Sequence, residues 1–118
     1  MAKVLPNVNE LNTQEVVVTF LDGDGLVAIP GIAEWRMVCP DNDQVISDWA
    51  TLTPVTTVNE GGDPVLCEAT ITVPASYHDL STTLDKERRA LIVVTERDTD
   101  DEWSETFKYY VERSGARS

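Results

Sequence analysis

The sequence predicts an all-β fold, and three observations carry that prediction. Apolar and polar residues alternate with a period of two in several segments, as in strands with one buried face. Clusters of Gly, Pro, Asp and Asn separate these segments at short intervals. No segment has the length and the period of a long helix. We therefore expect a β-sandwich of about seven strands over residues 15–113, preceded by an extended N-terminal arm (1–14) and followed by a tail (114–118).

The first predicted strand is EVVVTFL (15–21), which is rich in β-branched residues. DGDG (22–25) follows it and is a turn signal, because Gly tolerates positive φ and Asp bonds to nearby backbone groups. The same four residues begin like a calcium-binding loop. Leu26 and Val27 then stand where that motif needs an oxygen ligand and a glycine, so a turn is the better interpretation.

The next two predicted strands flank a turn. In IAEWRMVC (32–39), alternation places Trp35 and Met37 on one face and Arg36 on the other. PDND (40–43) is typical of a turn, because Pro fixes φ while Asp and Asn satisfy backbone groups. QVISDW (44–49) then returns alongside, so we interpret the whole stretch as paired strands.

The second half of the chain continues the pattern. In chain order it contains a loop or ragged edge strand (52–64), an alternating strand (65–73), a crossing connection with room for a helical turn (74–87), an apolar central strand (88–96) and an alternating strand (103–112). Long connections such as 74–87 let the chain cross between two sheets, as in Greek-key arrangements. We therefore favour an immunoglobulin-like β-sandwich over a closed barrel.

Length and charge limit the classes of function. A chain of 118 residues fits one domain. Its net charge of −12 repels phosphate, so no direct nucleic-acid partner is expected. No run approaches the roughly 20 apolar residues of a membrane span, and residues 1–14 lack the apolar core of a signal peptide. We expect synthesis in a cytoplasm and no membrane partner.

Catalytic motifs are not apparent in the sequence. His78 is the only histidine, and its neighbours resemble neither a nucleophile elbow nor an oxyanion loop. There is no phosphate-binding loop, dinucleotide glycine pattern or zinc-ligand spacing. We therefore predict a protein that is not an enzyme, with no catalytic residue, no cofactor and no metal site.

Cysteines and tryptophans leave alternatives open. Cys39 and Cys67 both point inward by alternation, either as a disulfide or as two buried free thiols. The second cysteine comes one strand too early for the usual immunoglobulin bridge. Three tryptophans could form a sugar-stacking surface, although packing in the core or in an interface is favoured. These residues are Trp35, Trp49 and Trp103.

Several short β motifs together resemble a known group of proteins. VTFLDGDG, AEWRMVCPDNDQVISDWATLTP, ATITVPASYHDL, DKERRALIVVTERD and KYYVE occur in this order over residues 15–112. The arrangement resembles small β-sandwich structural proteins of tailed bacteriophages. The resemblance implies a virion component without enzymatic activity, such as a capsid decoration protein, a fibre base, or a tail or neck component.

Among these positions, the acidic charge and the long arm favour a capsid decoration or cementing protein. It would be assembled in the bacterial host cytoplasm, bind the outer surface of the major capsid protein lattice and associate with other copies of itself. A tail, neck or fibre-base subunit and a carbohydrate-binding adhesion module are the alternatives. Apolar residues in a polar arm gain free energy only when they are buried. The predicted contact residues are Val4, Leu5, Pro6, Val8 and Leu11 of the arm, with Trp103 and Tyr110.

Overall fold

Two β-sheets form the fold of the computed structural model, which describes residues 2–22, 24–41, 43–80 and 86–113. The strands are β1 (Ala2–Val4), β2 (Val8–Asn9), β3 (Gln14–Thr19), β4 (Ala33–Cys39), β5 (Gln44–Leu52), β6 (Val55–Val58), β7 (Pro64–Val73), β8 (Lys86–Thr95) and β9 (Trp103–Glu112). The larger sheet has the order β1–β9–β8–β4–β5, with β2 also on β9, and the smaller has the order β3–β7–β6. The predicted all-β sandwich is confirmed, with β3 to β9 as seven strands after the arm. The immunoglobulin-like assignment stays a prediction.

Alternation builds the core between the sheets, as the sequence predicted. Every second residue of β4 is buried from Ala33 to Cys39, and the residues between them are half-buried. The same period of two buries Phe107, Tyr109 and Val111 of β9. In β7 the buried residues are Cys67, Ala69, Ile71 and Val73. The two sheets therefore enclose one continuous core.

β8 is the central strand of the larger sheet, as its apolar sequence predicted. It pairs antiparallel with β4 on one side and with β9 on the other. Leu91 and Val93 are fully buried. In its described part, the connection before β8 contains one 3₁₀ turn, Ala75–His78, and residues 81–85 lie outside the described residues. The predicted tail, 114–118, lies outside them too.

The N-terminal arm is part of the larger sheet. β1 and β2 run parallel to β9, with Lys3 opposite Phe107 and Val8 opposite Val111. Between them, the Leu5 amide donates a hydrogen bond to the Lys108 carbonyl at 2.8 Å. These pairings continue the sheet to its last strand, so the arm and the domain share hydrogen bonds and core contacts.

His78 fastens the end of the arm to the sandwich. Its ring is fully buried, with Nδ1 2.5 Å from the Asn12 carbonyl oxygen and Nε2 2.6 Å from the Tyr109 hydroxyl. A carbonyl oxygen only accepts, so Nδ1 donates and the neutral Nε2 accepts the Tyr109 proton. The Leu11 amide also donates to the His78 carbonyl at 3.0 Å. The ring and the backbone carbonyl of His78 therefore both bind the arm.

We expect the stability of the fold to decrease on acidification through His78. Burial, opposed by the Asn12 hydrogen bond and assisted by the nearby Arg89 charge, lowers the His78 pKa below 6.5. Between the lowered pKa of folded His78 and about pH 6.5, the unfolded chain binds a proton at His78 more readily than the folded chain does. The contribution of neutral His78 to the free energy of unfolding is therefore complete above about pH 6.5 and is lost as the pH falls through the folded pKa. Urea titrations from about pH 8 to pH 5 should show this decrease in the free energy of unfolding.

The control for this effect is His78→Gln, because the chain has no other histidine. Glutamine at 78 cannot take up a proton in this range, so the unfolding free energy of the variant should be flatter between about pH 7 and pH 5. An equal dependence on pH in both proteins would contradict the assignment to His78.

Candidate functional site

A groove of about 440 Å³ lies at one end of the sandwich, between the β3–β4 loop (20–32) and the β8–β9 loop (96–102). We call this end of the molecule the loop end. Phe20 and Trp103 contact each other edge to face beside the groove, with ring centroids 6.0 Å apart. Phe20 is buried and Trp103 half-buried. Ile29 and Pro30 add further apolar lining.

The turn after β3 shapes one side of the groove. Asp22 Oδ1 accepts hydrogen bonds from the amides of Asp24 and Leu26 at 2.9 and 3.0 Å. Gly25 has φ +80°, a conformation that favours glycine. The Asp22 carboxylate is therefore used by the backbone of a tight turn, as the sequence predicted for DGDG.

Glu96 joins the two loops of the groove. Its Oε1 accepts hydrogen bonds from the amides of Gly31 at 2.6 Å and Ile32 at 3.0 Å. A Cβ at position 31 would come within 3.0 Å of that oxygen, so the close approach depends on glycine. Glu96 adopts φ +52° while making these bonds. The loops are thus fixed to each other beside the paired ends of β8 and β4 in the larger sheet.

Four exposed apolar side chains lie at the loop end. Leu21, Leu26, Ile29 and Ile32 are between 45% and 65% exposed. All four lie within the β3–β4 loop, and Ile29 lines the groove. Exposed apolar groups that cluster in this way are typical of surfaces that bind another molecule.

The loop end is also strongly acidic. Its two loops contain a single cation, Arg97, which pairs with Glu34 at 3.1 Å and with Asp98 at 3.5 Å. The acidic residues of the loops are Asp22, Asp24, Glu96, Asp98, Asp100, Asp101 and Glu102. Asp22, Glu96 and Asp101 border the apolar groove itself. A partner with apolar groups flanked by Lys or Arg is complementary to this arrangement.

The contact residues that the sequence predicts in the arm differ in their exposure. Val4 and Leu11 are 83% and 56% exposed, and Pro6 is also exposed. Leu5 packs against the core, and Val8 is only 7% exposed within it. For Val8 the predicted interface contact is corrected, because its side chain is already covered by its own domain.

Trp103 and Tyr110 lie on opposite faces of β9. Trp103 packs towards the core and lines the groove. Tyr110 is 39% exposed on the outer face, with Lys86 Nζ 4.7 Å from its ring centroid. The two aromatic residues therefore do not form one surface, and only Trp103 belongs to the candidate site.

Cys39 and Cys67 are free thiols in different sheets. They are 1% and 0% exposed. Burial raises the pKa of the Cys39 thiol. Because thiolates are the reactive species, both positions are typical of inert core cysteines. Of the two alternatives that the sequence left open, the structure has two buried free thiols and not a disulfide.

The tryptophans present no flat, open surface for a sugar ring. Trp35 is 9% exposed and packs near Tyr77, with ring centroids 6.3 Å apart. Trp49 is half-buried, and the guanidinium carbons of Arg36 and Arg97 lie 5.3 and 4.7 Å from its ring centroid. These contacts give the aromatic faces partners within the chain.

The chain matches no protein-family model, no curated protein and no solved structure. Within the described ranges, no group of His, Cys, Asp and Glu side chains could hold a metal ion. The same residues include no helix with the length and apolarity that a membrane crossing requires.

Sequence reasoning missed most of the groove. By composition alone, LVAIPG (26–31) resembles a continuing extended segment, and RDTDDE (97–102) resembles a solvated acidic turn. The available signal was an apolar run, GLVAIPGIA (25–33), without alternation and next to an acidic turn. Nothing in it indicates that Glu96 bonds to Gly31, because that contact spans 65 positions of sequence.

Proposed function

We propose that this protein is a non-enzymatic structural component of a tailed-phage virion, a capsid decoration protein that binds the outer surface of the major capsid protein lattice. The observation that carries the proposal is the apolar groove with an acidic border at the loop end. The partner surface presents apolar side chains flanked by basic residues. Binding removes apolar area from water, and the opposite charges orient the two proteins.

The rigidity of the loop end supports binding to a protein surface. Glu96 fixes both loops by hydrogen bonds at 2.6 and 3.0 Å, so little conformational entropy is lost when a partner binds. Each single site is small. On a lattice of repeated sites, weak individual contacts act together when copies are linked to one another.

The arrangement of strands supports the immunoglobulin-like assignment that the strand pattern of the sequence predicts. The order β9–β8–β4–β5 faces β3–β7–β6. Variable-type immunoglobulin domains place strands G, F, C and C′ in one sheet and B, E and D in the other. Taken in chain order, β3 to β9 correspond to B, C, C′, D, E, F and G. The loop end then corresponds to the B–C and F–G loops, which bind ligands in antibody variable domains.

The decisive experiment measures binding to particles. Virions of the encoding phage are purified from a mutant that lacks the chain, and added protein is measured after cosedimentation. The wild type should saturate at a copy number that matches the whole capsid lattice. Saturation at a ring-like copy number would instead select a tail, neck or fibre-base position. No cosedimentation would overturn the virion proposal.

Two matched variants test whether the groove makes the contact. Ile29→Ser removes a 60% exposed apolar side chain from the groove, and Val17→Ser removes a 50% exposed one from β3. We expect Ile29→Ser to weaken particle binding by at least about tenfold and Val17→Ser to leave it unchanged. Equal binding of wild type and Ile29→Ser would contradict the use of the groove.

A further inference from the structure

The edge strand β6 is the least protected edge among the described strands. Natural sheets guard their edges with charged side chains, proline or bulges. β3 carries Glu15, β5 carries Asp48 and two register shifts against β4, and β1 carries Lys3. β6 has the sequence VTTV, without charge or proline. Its only irregularity is the register shift between Thr57 and Val58.

β6 belongs to a ribbon that extends beyond the three-stranded part of the smaller sheet. β3 pairs with β7 only from Glu68 to Val73, so β6 is the one described strand that pairs with the start of β7. Val55, Val58 and Val65 of this ribbon are 65%, 54% and 51% exposed. A two-stranded ribbon is marginally stable by itself, and a further strand would stabilise it.

The backbone groups on the free side of β6 can be assigned from one hydrogen bond. The Phe20 amide donates to the Cys67 carbonyl at 2.9 Å, so the polar groups of Cys67 point towards β3. Thr56 lies opposite Cys67 on β6. In an antiparallel pair, two residues directly opposite each other follow one of two patterns. Either they bond to each other through their N–H and C=O groups, or both residues point these groups away from the partner strand. The N–H and C=O of Thr56 therefore point to the free edge, and by alternation those of Val58 do as well.

We propose that β6 pairs with β6 of a second copy of this chain, joining two smaller sheets into one continuous six-stranded sheet. The strands run antiparallel about a two-fold axis at Thr57. In this register Thr56 lies opposite Val58 of the other copy, so each copy uses both of its outward-pointing residues. Thr57 lies opposite its own equivalent, which makes a favourable Thr–Thr cross-strand pair.

Charge identifies a second copy as a suitable occupant of this edge. Two chains of net charge −12 repel each other, and this repulsion is weakest where the surfaces that meet carry no charge. Residues 49–59 form an uncharged stretch that includes all of β6. The groove lies by β3 and β9, whereas β6 is at the opposite edge of the smaller sheet. A dimer through β6 thus leaves the groove open for a different partner.

The experiment measures the mass of the protein in solution by sedimentation velocity from about 1 μM to about 1 mM. The wild type should move from monomer to dimer within this range. Thr57→Lys should weaken the dimer by at least about tenfold, because two lysines then face each other at the axis. Thr70→Lys is the matched control: it changes the net charge equally, from an exposed position on the central strand β7, and should keep the wild-type dimer.

A mixing experiment tests the register. Thr57→Glu should also be monomeric, whereas an equimolar mixture of Thr57→Lys and Thr57→Glu should form a heterodimer. A wild type that stays monomeric at about 1 mM would overturn the proposal, as would a Thr57→Lys variant that dimerises like the wild type. These measurements need no virion, so their outcome is separate from that of the particle-binding test, and Ile29→Ser should dimerise normally.

Discussion

Deletion of residues 1–12 is expected to lower the free energy of unfolding by at least about 3 kcal/mol. The deletion removes β1 and β2 from the larger sheet, together with the buried side chain of Val8. It also leaves His78 Nδ1 without the Asn12 carbonyl as its acceptor in a fully buried position. A buried polar group without a partner retains its full desolvation cost, so the loss exceeds that of the strand pairings alone.

Two point variants separate a role in the core from a general effect of the arm. Val8→Ala should cost about 2 kcal/mol, because Val8 lies in the core. Val4→Ala should change the urea midpoint little, because its side chain is 83% exposed on β1. The arm would be independent of the domain if the truncated chain and the full chain unfolded at the same urea concentration.

This role of the arm was not apparent in the sequence for a physical reason. Period-two alternation is recognisable over four to eight residues, whereas β1 and β2 have three and two residues. Pro6 separates them and resembles a loop signal. Val8 is buried only because β9, about a hundred positions later, offers it a parallel partner. The longer strands β4, β7 and β9 were predicted because their alternation is local.

The candidate site shows the same limit of sequence reasoning. The sequence predicts Trp103 as a contact residue, because large aromatics dominate burial in cores and interfaces, and the structure places it at the groove. The sequence does not indicate Ile29 and Asp101, because the loops that bring them together are joined by Glu96. Carboxylates in an acidic turn are usually solvated, and the turn composition does not distinguish Glu96 from its neighbours.

Replacing Arg89 by Met is expected to destabilise the fold by about 3–5 kcal/mol. Arg89 is 2% exposed, although arginine is rarely buried to this extent. Its guanidinium pairs with Glu87 at 2.5 Å and donates to the carbonyls of Tyr77 and Asp79 at 3.0 and 3.2 Å. Methionine fills much of the same volume but leaves these acceptors without their donor. The measurement is the free energy of unfolding in urea.

The neighbouring Arg88 provides the matched control for burial. Arg88 also pairs with a carboxylate, Asp41, at 2.6 Å, but the two side chains are 48% and 46% exposed. Exposed pairs are screened by water, so Arg88→Met should shift the urea midpoint only slightly. Equal effects of the two substitutions would show that burial does not determine how much Arg89 contributes to the free energy of unfolding.

A double variant distinguishes the charge pair from the carbonyl contacts of Arg89. Replacing both partners of a buried pair by apolar residues is often nearly neutral, because no unpaired charge remains. If most of the stability lost in Arg89→Met comes from leaving the Glu87 carboxylate unpaired, adding Glu87→Leu should recover most of it. If most of the loss comes from the unpaired carbonyls of Tyr77 and Asp79, the double variant should stay as unstable as Arg89→Met. We expect partial recovery, because the guanidinium both neutralises Glu87 and fastens the connection between β7 and β8 to the core.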